Sequence, residues 1–377
     1  MTDSVQTTQM HIDPSVIDFG VGQPQLSLLP LERIRAAAEL RFARSDPSFL
    51  QYGAEQGDGF LRRELARFLE NAYGFPTSPA ELFITNGASQ GLDLICTLFT
   101  HPGDTIFVEE PSYFLALRIF ADHHLNVVPL PMDSDGLVIE ALEEQLKTTR
   151  PVLLYTIPTF QNPSGYTLSN ARRAQLAQLS REHGFTIVAD EVYHLLNFTA
   201  RPPRPLAGWI DQGNILSLGS FSKILAPGLR LGWIHAAPQR TQAFAACGLL
   251  DSGGGLNPFT SGIVRGLLET DGLQENIKHL CAIYGARVAA MDAALRSELP
   301  EAAYLTPHGG YFFWIRLPGR RDAQEFLQRA EEHKVSFRPG ARFSSQGGLR
   351  DYARLCFAFY EAGQIAEGIG RLKQALA

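Results

Sequence analysis

Cysteine is scarce in this sequence, and the few cysteines are far apart. Four occur among the 377 residues: Cys96, Cys247, Cys281 and Cys356. No two of them form a C-x-x-C pair and no paired histidine lies near them, so their spacing argues against a disulfide scaffold and a zinc site. Free cysteine is among the residue types most often buried. We therefore expect four buried free thiols and no bound metal.

Long apolar runs and an excess of basic residues are also missing. No run approaches the ~18 apolar residues that a transmembrane helix needs. The polar start, Met1 to Thr8, lacks the basic and apolar regions of a signal peptide. The formal net charge is −6, whereas a nucleic-acid-binding face is basic. We expect a cytoplasmic protein with no membrane or nucleic-acid partner. A negative net charge does not exclude a local cationic pocket for a small substrate.

Between about residues 85 and 235, short apolar runs alternate with segments of helical periodicity. The runs are nearly continuous in hydrophobicity, which is typical of parallel strands covered on both faces. Ser169 and Gly184 have the residue types of a helix N-cap and a helix stop around one intervening segment. Alternating strands and helices predict an α/β domain with a mainly parallel sheet. The predicted strands are 105–109, 152–156, 185–189 and 214–218.

After about residue 275 the pattern changes to that of a smaller α+β domain. A long helical stretch is followed by a strand, a second helix, a second strand and a closing helix, predicted at 273–299, 310–316, 323–332, 353–359 and 365–376. Because the length predicts about two domains, we expect a large domain at 46–275 and a small domain at 276–377. We expect residues 1–45 to join the small domain.

Two polar turns in the α/β part are candidate binding elements. Residues 86–91, Asn-Gly-Ala-Ser-Gln-Gly, open a predicted helix, and free N–H groups at a helix start attract anions. This turn matches neither G-x-G-x-x-G nor a P-loop, and a plain helix cap explains it equally well. In residues 161–165, Gln-Asn-Pro-Ser-Gly, Asn162 follows a strand, where α/β proteins bind ligands. Turn chemistry alone also accounts for that segment.

Two further motifs contain ionisable residues. Asp190 ends an apolar strand, so we expect it to be partly buried and to need a partner, and Tyr193 follows three residues later. Lys223 follows Ser220 and Ser222, with Arg230 seven residues beyond it. A lysine that attacks a carbonyl must be neutral, which burial and neighbouring cations favour, whereas the hydroxyls and the arginine suit a phosphate.

Simpler interpretations compete with these motifs. A turn at a strand end would explain Asp190, and most lysines are solvated surface residues. The segment Ser220 to Lys223 also spells S-x-x-K, the acyl-enzyme motif of β-lactamases, but the S-D-N and K-T-G motifs of that family are missing. A non-catalytic transcriptional regulator built on an α/β domain of this kind would need a DNA-binding module before it. Only about 15 residues precede the domain, so we do not expect a regulator.

Together the motifs Asn-Pro-Ser-Gly, Asp-x-x-Tyr, Ser-x-Ser-Lys and Gly-Leu-Arg-x-Gly resemble those of fold-type I pyridoxal-phosphate enzymes. Within that group the chain is similar to class I/II aminotransferases of the aminoadipate/kynurenine branch. The resemblance extends from about residue 16 to 375 and includes the stretches 18–24, 51–57, 110–113, 308–314, 338–340 and 354–357. It implies the aminotransferase fold, pyridoxal 5′-phosphate as cofactor and a homodimer.

The resemblance also assigns roles to single residues. It makes Lys223 the Schiff-base lysine, Asp190 the partner of the pyridinium nitrogen, and Asn162 and Tyr193 the donors to the ring oxygen. It places the α-carboxylate of the substrate on Arg354, beside Asn162 and Gly22, in a cleft between the domains. The remaining cofactor contacts that it implies are Tyr113 on the ring face, Ser89, Gln90, Ser220, Ser222 and Arg230 around the phosphate, and Tyr52 from the neighbouring subunit.

The implied reaction is a ping-pong transfer of an amino group from an L-amino acid to a 2-oxo acid such as 2-oxoglutarate. The freed Lys223 would act as general base with a pKa well below the ~10.4 of free lysine. No arginine precedes Arg33, and the loop 22–30 is neutral and largely apolar, which favours aliphatic or aromatic side chains over acidic ones other than glutamate. The same residues would also serve a β-lyase, a racemase or a decarboxylase.

Overall fold

The computed structural model describes residues 8–9, 13–199, 201–212 and 214–376. Most of the polar start on which the prediction of no signal peptide depends lies outside them. The strands are β1 (Ile17–Asp18), β2 (Leu82–Thr85), β3 (Thr105–Glu110), β4 (Asn126–Asp133), β5 (Gly136–Leu137), β6 (Leu153–Thr156), β7 (Thr186–Asp190), β8 (Ile215–Ser220), β9 (Gly232–Ala236), β10 (Phe312–Arg316), β11 (Val335–Ser336), β12 (Arg338–Pro339) and β13 (Tyr352–Cys356).

Helices connect and cover these strands. In chain order they are α1 (Leu31–Ala43), α2 (Gly59–Tyr73), α3 (Ala88–Phe99), α4 (Phe114–Asp122), α5 (Ile139–Leu146), α6 (Asn170–His183), α7 (Phe221–Ile224), α8 (Pro238–Ala245), α9 (Gly248–Gly253), α10 (Pro258–Glu269), α11 (Gly272–Glu298), α12 (Ala323–Glu332) and α13 (Ala362–Leu376). Among the described residues, no helix is both long and apolar enough to span a membrane.

The central sheet has eight strands in the order β2-β9-β8-β7-β6-β3-β4-β5. The strands β8, β7, β6, β3 and β4 run parallel to one another, whereas β9 is antiparallel to both of its neighbours and β5 is antiparallel to β4. The predicted mainly parallel sheet is confirmed. It also explains why the central strands are nearly all apolar, because helices cover both faces.

Two hydrophobic clusters cover the two faces of this sheet. Successive side chains of a strand point to opposite faces, and Ile106 and Phe107 of β3 accordingly belong to different clusters. The larger cluster contains Leu92 of α3 and Phe120 of α4, and the smaller contains Leu176 of α6. The sheet therefore lies between two helical layers, and its strand ends are left free to form a site.

The ends of α6 agree with their sequence signals. The Ser169 hydroxyl accepts a hydrogen bond from the Arg172 amide at 3.4 Å, which satisfies one of the free donors at a helix start. Gly184 follows the helix with φ +78°, a conformation that glycine adopts without steric cost. The predicted N-cap and helix stop are both confirmed.

A second sheet has the order β10-β13-β12, with β13 antiparallel to both neighbours. On one face of this layer Phe337 packs against Phe326 of α12, with ring centroids 5.3 Å apart. Near the start of the chain, β1 pairs in parallel with β11. The Phe19 ring packs edge-on against Tyr360 at 6.0 Å. The first strand therefore lies against residues more than 300 positions away in sequence.

Element boundaries differ from the predictions by a few residues. Strand β13 spans 352–356 rather than 353–359, and α13 begins at 362 rather than 365. The prediction of four buried free thiols is confirmed in part: all four cysteines are free, and Cys96 and Cys356 are buried, but Cys247 and Cys281 are half-buried. Among the described residues, no group of three or more His, Cys, Asp or Glu side chains is arranged around a possible metal.

Candidate active site

The predicted motifs of the α/β part meet at one edge of the central sheet. Strands β6, β7 and β8 are parallel neighbours, so their carboxyl ends lie side by side. Asn162 follows β6, Asp190 ends β7, and Lys223 lies in α7 directly after β8. In open α/β sheets ligands bind outside the carboxyl ends of the strands. The fold thus brings Asn162, Asp190 and Lys223, which follow one another along the chain, to the same edge of the sheet.

Lys223 is held at this edge by the N-terminal loop. Its Nζ donates a hydrogen bond to the Gly22 carbonyl at 2.9 Å, across 201 residues of sequence. Burial lowers the pKa of Lys223 to about 8, and the positive charges of Arg354 and Arg230 act in the same direction, against the opposing effects of Cys356 and Asp190. The amine is therefore far more often neutral at physiological pH than an ordinary lysine, as the predicted nucleophile requires.

Asp190 is buried with one carboxylate oxygen paired and the other free. The Tyr155 hydroxyl donates to Oδ2 at 2.8 Å, whereas Oδ1 has no hydrogen-bond partner among the described residues. Burial raises the pKa of Asp190 to about 6, and the hydrogen bond from Tyr155 partly offsets this. A buried carboxylate oxygen without a donor is costly. A cationic N–H group placed beside Oδ1 would supply the missing donor and favour the charged carboxylate.

Arg354 of β13 reaches this edge from the second sheet. Its Nη1 donates to Asn162 Oδ1 at 2.9 Å and its Nη2 donates to the Gly20 carbonyl at 3.0 Å. The guanidinium lies 4.0 Å from the Phe312 ring centroid, and its buried Nε has no hydrogen-bond partner in the described part of the chain. Burial lowers the pKa of Arg354 to about 10. The residue is therefore a positioned buried cation with an unused donor, which suits binding of a carboxylate.

Gly22 joins these groups. A side chain at this position would begin 3.5 Å from Arg354 Nη2 and 3.4 Å from the Phe312 ring. The Gly22 carbonyl meanwhile accepts the hydrogen bond from Lys223. The structure thus brings the predicted Lys223, Arg354 and Gly22 together, although they belong to three distant stretches of sequence.

The start of α3 and the end of the Lys223 segment form a second polar cluster. Gly87 is the N-cap of α3 and supplies no side-chain cap, so free N–H groups remain there. Arg230 Nη2 donates to the Asn86 carbonyl at 3.1 Å. Gly87 has φ +90°, and a Cβ there would lie 2.9 Å from Arg230 Nη2. Only glycine therefore permits both the backbone conformation and the close approach of the arginine.

The other predicted phosphate contacts differ in their surroundings. Ser220 is buried, and its Oγ accepts from the Ser222 amide at 3.1 Å. Gln90 is half-buried, with its Oε1 accepting from the Asn86 amide at 3.1 Å. Ser89 is exposed at the start of α3. These hydroxyls, free helix N–H groups and the guanidinium are the donors that bind phosphates.

Aromatic residues line the same edge. Tyr193 is buried, its ring centroid lies 5.5 Å from that of Tyr311, and its hydroxyl makes no hydrogen bond within the described part of the chain. Burial raises the pKa of Tyr113 to about 12 and that of Tyr193 well above its ordinary value. Both hydroxyls therefore stay protonated and can donate. Tyr113 is half-buried and immediately precedes α4.

Sequence reasoning missed the residues that support this site. Tyr155 was seen only as part of a strand, although polar tips in apolar strands usually need a partner. Buried Glu109 accepts hydrogen bonds from the Ile157 amide at 3.0 Å, from Gln161 Nε2 at 3.2 Å and from the Thr156 hydroxyl. Burial raises its pKa to about 7. It ties the turn that carries Asn162 to strand β3.

Tyr52 stands apart from the other predicted residues. Its side chain is 84% exposed and makes no hydrogen bond within the described residues. It precedes Gly53, which forms an isolated bridge with Gly255. Within a single chain the structure therefore does not bring Tyr52 into the cluster around Lys223.

These side chains fit pyridoxal phosphate. The unpaired Oδ1 of Asp190 suits a protonated pyridine nitrogen, and the neutral amine of Lys223 suits an aldehyde. The cluster around the start of α3 and Arg230 offers donors for a phosphate dianion. Each chemical part of the cofactor thus has a matching set of residues, and the orphaned oxygen of Asp190 is explained by that match.

Comparisons with known proteins agree with this geometry. The family model "Aminotransferase class I and II" matches residues 14–372. The aromatic-amino-acid aminotransferase 1 of Thermococcus litoralis is 34% identical, over 96% of this chain and 88% of that protein. The 2-aminoadipate transaminase of Thermus thermophilus is also 34% identical, over 96% of this chain and 90% of that protein.

A solved structure is similar over nearly the whole chain. The kynurenine aminotransferase of Pyrococcus horikoshii, in complex with PMP, superimposes with a TM-score of 0.91 at 31% identity, covering 98% of this chain and 95% of that one. The predicted aminotransferase fold, the transaminase activity and the pyridoxal phosphate cofactor are confirmed. The chain belongs to the class I and II aminotransferases, the fold-type I enzymes that use pyridoxal phosphate.

Proposed function

We propose that this enzyme transfers the amino group of an L-amino acid with an aliphatic or aromatic side chain to a 2-oxo acid such as 2-oxoglutarate. Lys223 is the residue that carries the cofactor in this proposal. The observation that supports it most directly is that two groups occur at the same sheet edge. One is the buried Asp190 carboxylate, whose Oδ1 has no hydrogen-bond partner among the described residues, and the other is Lys223, whose pKa is lowered to about 8.

When bound, pyridoxal phosphate supplies an aldehyde that reacts with amines and a ring that withdraws electrons from the substrate Cα. Asp190 would hold the ring nitrogen in its protonated form, because Tyr155 stabilises the charged carboxylate through Oδ2 and leaves Oδ1 for the ring. Lys223 would hold the cofactor through its amine. When that amine is free it would accept the proton from the substrate Cα, since a base with a pKa near the working pH moves protons efficiently.

Arg354 orients the substrate. Its guanidinium is held by Asn162 and Gly20, so few side-chain rotations remain to be restricted on binding. The Nε–H and the outer N–H groups of the guanidinium would donate hydrogen bonds to an α-carboxylate. Asn162, Tyr193 and Tyr113 surround the cofactor ring in this arrangement, and Ser89, Gln90, Ser220, Ser222 and Arg230 contact the phosphate.

The preference for apolar side chains rests on the loop at residues 22–30. The loop carries no charged residue and contains three leucines, of which Leu26 is 73% exposed. An exposed apolar side chain beside a binding cleft favours apolar ligands. Two relatives are named for aromatic amino acids and kynurenine, in line with that choice, whereas a third is named for the acidic 2-aminoadipate.

We further propose that residues 1–45 and 276–377 form a small domain against a large domain at 46–275. The parallel pairing of β1 with β11 and the contact between Phe19 and Tyr360 support this division. Arg354 then enters the site from the small domain and Lys223 from the large one. The substrate would lie between them.

We propose that the enzyme is a cytoplasmic homodimer. Large apolar side chains are exposed along α1, the start of α2, α9 and the start of α10, and exposed apolar patches of this kind mark interfaces. Within this patch Phe42, Phe49 and Phe259 pack on one another. Tyr52 lies next to it and would reach the phosphate of the neighbouring site. The exposed residues are Leu31, Leu40, Phe42, Leu50, Tyr52, Phe60, Leu249 and Phe259.

Mixing two damaged enzymes tests this shared site. A Lys223→Ala chain and a Tyr52→Ala chain, each poorly active alone, should form hybrid dimers after unfolding and refolding together. One site of each hybrid would then have both native residues, so activity should return toward a quarter of the native value per site. Mixing that restores nothing, while native mass spectrometry shows dimers of the intermediate mass expected for hybrids, would exclude a contribution of Tyr52 across the interface.

The reaction itself is tested with a panel of amino donors. Purified holoenzyme is incubated with 2-oxoglutarate and each of phenylalanine, tyrosine, leucine, lysine, aspartate and 2-aminoadipate, and glutamate is quantified. We expect stoichiometric glutamate with the aromatic and aliphatic donors. Loss of donor without glutamate would overturn transamination in favour of another reaction, and Lys223→Ala serves as the inactive control.

A further inference from the structure

A second arginine lies beside Arg354 on the same face of the small sheet. Strands β12 and β13 are antiparallel, and Arg338 is directly paired with Arg354. Directly opposed residues of an antiparallel pair point to the same face, with Cβ atoms about 5 Å apart. The preceding residue in the chain, Phe337, packs on α12 at the other face. Arg338 therefore points away from the helices and toward the N-terminal loop.

The contacts of Arg338 place its guanidinium next to that loop. A Cβ at Gly20 would lie 2.7 Å from Arg338 Cζ and 2.9 Å from its Nε. The Gly20 carbonyl meanwhile accepts from Arg354 Nη2 at 3.0 Å. The Gly20 residue thus contacts both guanidinium groups, and both arginines border the segment that holds Lys223 through Gly22.

Among the described residues, Asp18 is the only carboxylate within ion-pair distance of Arg338. Asp18 Oδ2 lies 3.8 Å from Arg338 Nη2, which exceeds hydrogen-bonding distance. Asp18 Oδ1 is occupied by the Gly20 amide at 2.7 Å. The Arg338 side chain remains 26% exposed and makes no hydrogen bond within the described residues. Its donor groups are therefore available to a ligand.

The pair is electrostatically unfavourable in the ligand-free protein. Like charges directly opposite each other in a sheet are destabilising. Consistent with this, the charge of Arg338 contributes to the lowered pKa of Arg354, in addition to the larger effect of burial. Two cations near the single half-buried carboxylate of Asp18 leave a net positive charge that an anion with two carboxylates would neutralise.

We propose that Arg338 binds the second carboxylate of a dicarboxylic substrate while Arg354 holds its α-carboxylate. This inference rests on the proposed function and assigns the site for the acidic co-substrate, glutamate or 2-oxoglutarate. The loop at 22–30 contains no cationic side chain that could bind this carboxylate, whereas Arg338 supplies one from strand β12. Arginine suits the role because its planar fork pairs with a carboxylate through two hydrogen bonds.

The same enzyme can then accept apolar and acidic side chains in alternate half-reactions. An apolar side chain would lie along the exposed Leu26 of the loop at 22–30, and Arg338 would keep its contact with Asp18. With an acidic side chain, the carboxylate would compete with Asp18 for the guanidinium. The weak 3.8 Å contact makes this exchange inexpensive.

The test compares half-reactions of holoenzyme by the change in cofactor absorbance, using glutamate and phenylalanine. In Arg338→Gln we expect the ratio of kcat/KM for glutamate to kcat/KM for phenylalanine to fall roughly 10- to 100-fold, the effect of losing a hydrogen-bonded charge. Arg338→Lys should recover part of that ratio. Arg329→Gln, an equal charge change on exposed α12, should leave the ratio unchanged.

A structural role for Arg338 predicts a different outcome. If the residue only held the loop through Asp18, both substrates would lose activity in parallel and the ratio would not move. A parallel loss, or an unchanged ratio, overturns the proposal.

Equilibrium binding separates this inference from the proposed function. Glutarate and pentanoate differ by one carboxylate, and calorimetry on holoenzyme measures their affinities without turnover. Arg338→Gln should weaken glutarate at least 10-fold more than pentanoate, even if no amino donor gave glutamate in the panel. If Arg338→Gln lowers the affinities for both acids equally, the assignment of Arg338 is overturned. If the binding changes as expected but no amino donor yields glutamate, only the proposed function is refuted.

Discussion

The lowered pKa of Lys223 gives a quantitative expectation for the enzyme without cofactor. An ordinary lysine with a pKa near 10.5 is neutral in roughly one molecule in 3,000 at pH 7, whereas a pKa of about 8 leaves roughly a tenth neutral. The neutral amine is thus enriched by about 300-fold. Below pH 8 the neutral fraction rises about tenfold per pH unit, and above pH 9 it is nearly constant.

Competitive acetylation measures this fraction directly. Apoenzyme is treated briefly with trace acetic anhydride at a series of pH values, and peptide mass spectrometry quantifies the modification of each lysine. The exposed Lys278 of α11 serves as an internal reference in the same sample. We expect the labelling of Lys223 to rise with a midpoint near pH 8 and to level off by pH 9.5.

Two substitutions check the electrostatic part of the argument by their sign. Removing the positive charge of Arg354, as in Arg354→Met, should move the midpoint of Lys223 to higher pH because that charge disfavours the ammonium form. Asp190→Asn should move it to lower pH because a stabilising negative charge is lost. A midpoint above pH 10 in the native enzyme, or shifts of the opposite sign, would refute the account of how this lysine is activated.

Three other changes test the remaining parts of the site. Asp190→Asn removes the charge that would stabilise the protonated cofactor ring in the proposed function. Exchange of the substrate Cα proton, followed by NMR in deuterated water, should therefore slow at least about 100-fold. A near-native exchange rate would contradict this role. Arg354→Leu should lower kcat/KM for an amino acid about 100-fold or more, and an equal loss with the corresponding amine, which lacks the carboxylate, would contradict a carboxylate contact. Arg173→Met removes the cation that lies 3.6 Å from the buried Glu191 carboxylate. It should lower the free energy of unfolding of the apoenzyme, measured by calorimetry, by about 3–5 kcal/mol. Arg172→Met, at a more exposed ion pair, should lower it by less than about 1 kcal/mol.

Local sequence signals predicted the central sheet and much of the candidate site. Nearly continuous apolar runs predicted β3, β6, β7 and β8 as strands covered on both faces, and cap residues predicted the ends of α6. Parallel neighbouring strands end at one edge, so the polar residues that follow them had to meet there. Asn162, Asp190 and Lys223 were grouped in this way, because each lies within a few residues of a strand end.

Contacts across long sequence separations were decided by the tertiary structure. The hydrogen bond of Lys223 to Gly22 spans 201 residues and that of Arg354 to Asn162 spans 192, and no local pattern carries such pairings. The family resemblance placed Arg354 near the cofactor, yet the antiparallel register that sets Arg338 beside it appeared only in the folded chain. Tyr155 reaches Asp190 for the same reason, since neighbouring strands bring their side chains together only after the sheet forms.

The sequence by itself therefore determined the central strands β3, β6, β7 and β8, the sheet edge where the candidate site lies and Lys223 as its candidate lysine. It did so because hydrophobic periodicity and turn chemistry act over a few residues. The tertiary structure alone decided the environment of each ionisable group. Burial and distant charges set the pKa of Lys223 and Asp190, and those depend on packing between segments that are far apart in the chain.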